Sequence, residues 1–95
     1  MKRKQPTVPA FVRRVKNGLT EGLARVGIPA EVEFEKVGST RLFRFTTLAP
    51  KFAQLRHGER QDLVWRIVDS VLDKESQLQI SMIVTLTPSE LGEAA

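Results

Sequence analysis

No cysteine occurs anywhere in the chain, and histidine occurs once, at His57. The first absence excludes disulfides, thiolate-held zinc or iron–sulfur groups and cysteine nucleophiles. The second excludes any multi-histidine metal centre. No apolar run approaches the roughly 20 residues that span a bilayer. Met1-Lys2-Arg3-Lys4 is basic enough to open a secretory signal, but Arg13 and Arg14 arrive before an apolar stretch can form. These absences point to a soluble, cytoplasmic chain without membrane contact. Catalytic signatures are missing as well. Ser39, Ser70, Ser76, Ser81 and Ser89 have no Gly-x-Ser-x-Gly context, and no phosphate-binding or dinucleotide loop is present. The expectation is a protein that is not an enzyme and carries no cofactor.

What remains is a 95-residue chain, 41% hydrophobic, with room for one domain. A domain of this size buries roughly 65% of its unfolded surface, enough for one core but little wall for a deep pocket. The net charge of +4 is distributed in blocks. Lys2, Arg3, Lys4, Arg13, Arg14 and Lys16 have no acid among them, and a second basic block runs from Lys36 to Arg60. Between and after these blocks the chain is acidic. Such blocks are either a nucleic-acid footprint or a solubility device.

Periodicity organises the chain as α-β-β-α-β. Residues 1–6 read as a flexible basic arm, 7–91 as a single α+β domain and 92–95 as a disordered tail. Thr7 suits a helix N-cap, with Pro9 in the first turn. Val8, Val12, Val15, Leu19, Leu23 and Val26 then form a helical stripe widened by Phe11, ending at Gly27 and Pro29. Gly18 and Gly22 lie four apart on one helix face, where they allow another element to pack closely. Val32 and Phe34 alternate with Glu31, Glu33 and Glu35, and after the Gly38-Ser39 turn a second β-rich run extends from Thr40 to Leu48. Phe43 and Phe45 join Phe34 on the core side, and Glu33 is positioned to face Arg44. The three glutamates stand about 7 Å apart in sequence along a strand, too far to share one ion easily, so they read as a solvated face. A loop through His57-Gly58 leads to a helix with a broad stripe of Leu63, Val64, Ile67, Val68, Val71 and Leu72, and Trp65 at its edge. In the last strand Leu78, Ile80, Met82, Val84 and Leu86 alternate with Gln79, Ser81, Ile83 and Thr85, which assigns Ser81 and Thr85 to the outside. Ser89-Glu90-Leu91 starts a frayed helical turn. A parallel crossover between the last two strands gives a three-stranded mixed sheet with both helices on one face.

Phe52, Leu55-Arg56-His57, Arg60-Gln61-Asp62-Leu63-Val64-Trp65 and the run from Ile80 to Pro88 resemble the BolA family. The likeness covers residues 40–91. It implies a BolA core related to the type II KH fold. In the family, histidines in the two motifs help hold an iron–sulfur cluster shared with monothiol glutaredoxins. Here Gln61 and Gln79 stand at the matched positions, and an amide is a poor iron ligand beside imidazole. Cluster binding and a glutaredoxin partner are therefore not carried over. KH domains clamp a nucleic-acid backbone with a Gly-x-x-Gly loop, and none occurs in this chain.

Two functional expectations follow. The first is a regulatory module engaging a protein partner through the loop 49–60 and Trp65, with Phe52, His57 and Trp65 as contact residues. The second is a nucleic-acid binder placing Lys2, Arg3, Lys4, Arg13, Arg14, Lys16, Arg41, Arg44, Lys51 and Arg56 on phosphates. Arg60, near a helix start that favours anions, would extend that surface.

Overall fold

The apolar stripe winds into helix α1 (Ala10–Arg25), and Val12, Val15, Leu19 and Leu23 are fully buried. A computed structural model describes residues 8–94 of the chain. Helix α1 starts two residues later than the sequence suggests. Pro9 occupies the N-cap position without a side-chain hydrogen bond, and Thr7 lies outside the described residues. The C-terminus is a Schellman closure. Gly27, at φ +80°, donates to Ala24 O (3.0 Å), and Ile28 donates to Leu23 O (2.8 Å). That turn leaves Val26 more than half exposed, so the stripe ends at Leu23.

Strands β1 (Glu31–Lys36) and β2 (Phe43–Leu48) form the expected hairpin, with Phe34 opposite Phe45 and Glu35 opposite Arg44. Arg44 therefore pairs with Glu35 rather than Glu33. The hairpin loop extends to Leu42, where Val37 N donates to Leu42 O at 2.9 Å. After β2 a 3₁₀ turn (Pro50–Gln54) replaces the expected loop, and helix α2 (His57–Val71) begins at His57 itself. The Glu59 carboxylate accepts from the Arg56 backbone N–H at 2.8 Å, closing the entry to α2. A short helix α3 (Lys74–Gln77), capped by Asp73 accepting from Ser76 N, separates α2 from β3 (Ile80–Leu86).

The sheet order is β1-β2-β3, antiparallel then parallel. Helices α1 and α2 both lie on the face carrying Val32, Phe45, Thr47, Ile83 and Thr85, so the small α+β sandwich matches its expected architecture. Phe11, Phe34, Phe43 and Phe45 make edge-on and tilted contacts in this core, with centroids 5.7–6.3 Å apart. The glycine pair permits the helix–helix approach. A Cβ at Gly18 would stand 3.1 Å from Val71, and one at Gly22 would stand 3.0 Å from Ile67.

The phase of β3 differs from the simple alternation. Phe43 pairs with Ile80, but Arg44 pairs with Met82, so Ser81 is an extra residue in the ladder. An unbroken strand cannot turn both Ile80 and Ile83 inward, because they are three apart. The bulge buries both isoleucines and with them Thr85. Met82, Val84 and Leu86 consequently lie on the opposite face, in register with Arg44, Thr46 and Leu48. Leu78, placed in this strand by its alternation, precedes it and is 77% exposed. The described residues end in helix α4 (Pro88–Ala94), which includes residues 92–94 of the stretch 92–95 expected as a disordered tail.

Candidate interaction surface

Register alone defines the open face of the sheet. Glu31, Leu48 and Leu86 form one row, Glu33, Thr46 and Val84 the next, and Glu35, Arg44 and Met82 the third. The face is thus graded, from a carboxylate column on β1 to an apolar column on β3. Met82 is 49% exposed, and Leu48, Val84 and Leu86 are half-buried on the face opposite α1 and α2. The Arg44 guanidinium is ion-paired with Glu35, its Nε donating at 3.1 Å. This engages one of the arginines assigned to phosphate contact and leaves Glu31 and Glu33 exposed beside it.

The other basic candidates do not form one surface. Arg13, Arg14 and Lys16 are exposed on the first turns of α1, and Lys16 Nζ stands 5.9 Å from the Phe34 ring centroid. Lys36 and Arg41 line a shallow hollow with Pro9, Phe43 and Gln79 at the same end of the sheet. Lys51 and Arg56 lie beyond the far end of β2, about 20 Å away by strand rise. Lys2, Arg3 and Lys4 lie outside the described residues.

Arg60 is not part of any cationic surface. It is 4% exposed and inserted beneath the end of β3. Its Nε donates to Phe52 O (2.9 Å) and Leu55 O (3.2 Å), while Nη1 donates to Thr85 O (3.2 Å). Nη1 and Nη2 also reach the two carboxylate oxygens of Glu90, at 2.8 and 3.2 Å. Glu90 closes α4 as well, accepting from Thr87 N (2.9 Å) while its own N–H donates to Thr87 Oγ1 (3.0 Å). The hydrogen bonds from Arg60, followed by the one from Thr87, lower its carboxyl pKa from 4.5 to about 2.

Beside this knot, Gln61 Nε2 donates to Ile83 O at 2.8 Å and lies 3.3 Å from Thr85 Oγ1, and its Oε1 accepts from Trp65 Nε1 at 3.2 Å. The Gln61 amide thus has a structural task. It ties the indole to the outer edge of β3. Gln79 lies at the other end of that strand, against Phe43.

The protein-contact residues chosen from the loop 49–60 are also redistributed. Phe52 is fully buried, its ring 5.6 Å from the Arg60 guanidinium, because the 3₁₀ turn folds it into the core. Trp65 is half-buried against that core, and His57 is exposed at the start of α2. Among the described residues no group of three or more His, Cys, Asp or Glu side chains could hold a metal ion, and no helix is long and apolar enough to cross a membrane. The surface that sequence reasoning missed is the column Met82, Val84 and Leu86. Its signal was the run Met82-Ile83-Val84, apolar in both phases of the strand. No protein-family model matches the chain, and neither does any curated protein.

Proposed function

We propose that this chain is a non-catalytic, BolA-like binding module whose partner is a protein that covers the open face of the sheet. The observation that carries this reading is the apolar column Met82, Val84 and Leu86, on a strand paired in parallel and on the face opposite α1 and α2. Near-continuous apolar strands in parallel pairing belong where both sheet faces are covered. Helices α1 and α2 cover only one. The carboxylates of Glu31, Glu33 and Glu35 on the same face repel phosphates and so favour a protein over a nucleic acid there. The element order and the parallel β2–β3 pair support the family reading. The engagement of Gln61 by Trp65 and β3 weighs against a cluster-holding role.

A second reading rests on Arg13, Arg14, Lys16, Lys36 and Arg41, which lie toward one end of the sheet, where they suit sequence-independent contacts to phosphates. Pull-down with the wild-type chain and with Met82→Asp/Val84→Asp separates the two. The proposal expects the double variant to keep its fold and lose its protein partner. Retention of the partner by that variant overturns it. Loss of bound nucleic acid in Arg13→Ala/Arg14→Ala, with steep weakening between about 50 and 200 mM salt, establishes the second reading instead.

A further inference from the structure

We infer that the outer edge of β1 accepts an extended peptide with alternating basic and apolar residues as a fourth strand. The two edges of this sheet are treated differently. At the β3 edge, Ile83 O and Thr85 O are occupied by the side chains of Gln61 and Arg60, so another strand cannot pair there. At the β1 edge nothing comparable exists among the described residues. The bond from Val37 N to Leu42 O fixes the alternation of the hairpin ladder. Glu31, Glu33 and Glu35 therefore bond to β2, and Val32, Phe34 and Lys36 turn their N–H and C=O groups outward. No hydrogen bond from a described residue outside the strand reaches those groups. Strand addition supplies such an edge with main-chain hydrogen bonds, while alternate side chains set the choice of partner.

The side chains around the edge define the occupant. On the open face the added strand lies beside Glu31 and Glu33, whose exposed carboxylates select lysine or arginine at alternate positions, while Glu35 is already paired with Arg44. On the helix side, a hollow of about 330 Å³ along the β1 edge is lined by Lys16, Thr20, Ala30 and Val32 together with Glu31 and Glu33. Half-buried Phe34 and Ala30 suit small apolar residues at the intervening positions. The same carboxylates exclude a second copy of this chain. Antiparallel pairing of two β1 edges would bring the acidic columns of both onto one face, where like charges oppose pairing.

This inference concerns the strand edge and is independent of what covers the sheet face. The probe is a fluorescent heptapeptide of alternating lysine and valine, added to the full chain and followed by anisotropy and amide hydrogen exchange. The expected footprint alternates. Exchange slows at Val32, Phe34 and Lys36 and is unchanged at Glu33 and Glu35, whose amides already bond to β2. Lys36→Pro removes an outward N–H without touching the β2 ladder and should weaken the peptide by about fivefold to tenfold. Glu31→Lys/Glu33→Lys should abolish binding of this peptide and admit an alternating glutamate–valine one. Met82→Asp/Val84→Asp should leave binding intact, which separates this test from that of the sheet face. No binding, non-alternating protection, or outward amides already protected before peptide is added would each overturn the inference.

Discussion

Replacing Arg60 by leucine tests the reading of α2 as the structural anchor of β3. The leucine keeps apolar contact with Phe52 but removes every donor that Arg60 supplies to Phe52 O, Leu55 O, Thr85 O and Glu90. The Phe52 and Thr85 bonds are buried, whereas the Leu55 bond is partly buried and its carbonyl regains water. Thr85 O is left unpaired, at about 1–3 kcal/mol, whereas Phe52 O keeps its bond from Leu55 N (3.0 Å), so the Phe52 and Leu55 sites each add about 1 kcal/mol or less. A total of about 2–4 kcal/mol follows, a large fraction of the roughly 5–15 kcal/mol that stabilises a domain of ordinary stability. Urea unfolding followed by Trp65 fluorescence measures it as a lowered midpoint at unchanged slope. A loss below about 1 kcal/mol would refute the argument, because it would mean the Thr85 carbonyl finds another partner in the native fold. Arg60→Lys should fall between wild type and leucine, since one ammonium cannot span the same acceptors.

Acid provides a second test of the same knot. The Glu90 carboxyl is lowered from 4.5 to about 2, so its contribution is complete above pH 4.5 and is lost as pH falls toward 2. Urea titrations across that window should show stability falling in wild type, with this component absent in Glu90→Gln. At the helix interface, Gly22→Ala should be nearly neutral, because the gain of about 1 kcal/mol in helix propensity is offset by contact with Ile67 at 3.0 Å. Gly22→Leu should instead destabilise the chain by about 2 kcal/mol or more in the same assay. Gln61→Ala frees both Trp65 Nε1 and the Ile83 carbonyl; it should cost about 1–2 kcal/mol and shift the tryptophan emission, and an unchanged spectrum would contradict the assigned contact.

Much of this fold was legible because its apolar periodicities are regular. The α1 stripe, the Glu31–Lys36 alternation and the broad stripe of α2 each specify an element, and Gly27 and Pro50 mark where α1 and β2 end. The glycine pair likewise announced a close helix contact, now seen against Ile67 and Val71. The phase of β3 was not legible, because Ile80, Met82, Ile83 and Val84 are apolar in both registers. Only the third dimension shows that a bulge at Ser81 lets Ile80 and Ile83 share the core. Arg60 was misread for a related reason. A helix-start arginine in a basic block looks solvated until Phe52 in the 3₁₀ turn, Leu55 at its end and Thr85 of β3 present their carbonyls to it from two separate segments. Its partner Glu90 carried a local signal, since Thr87-Pro88-Ser89-Glu90 is a capping-box sequence, but its reach to Arg60 is a tertiary fact.

The most direct test of the central claim is photo-crosslinking in cells, with the photoreactive amino acid replacing Met82 in one sample and Arg41 in another. The account predicts a discrete protein adduct from position 82, lost when Val84→Asp is added, and no such adduct from position 41. Crosslinks to nucleic acid from position 41, with none to protein from position 82, would contradict it.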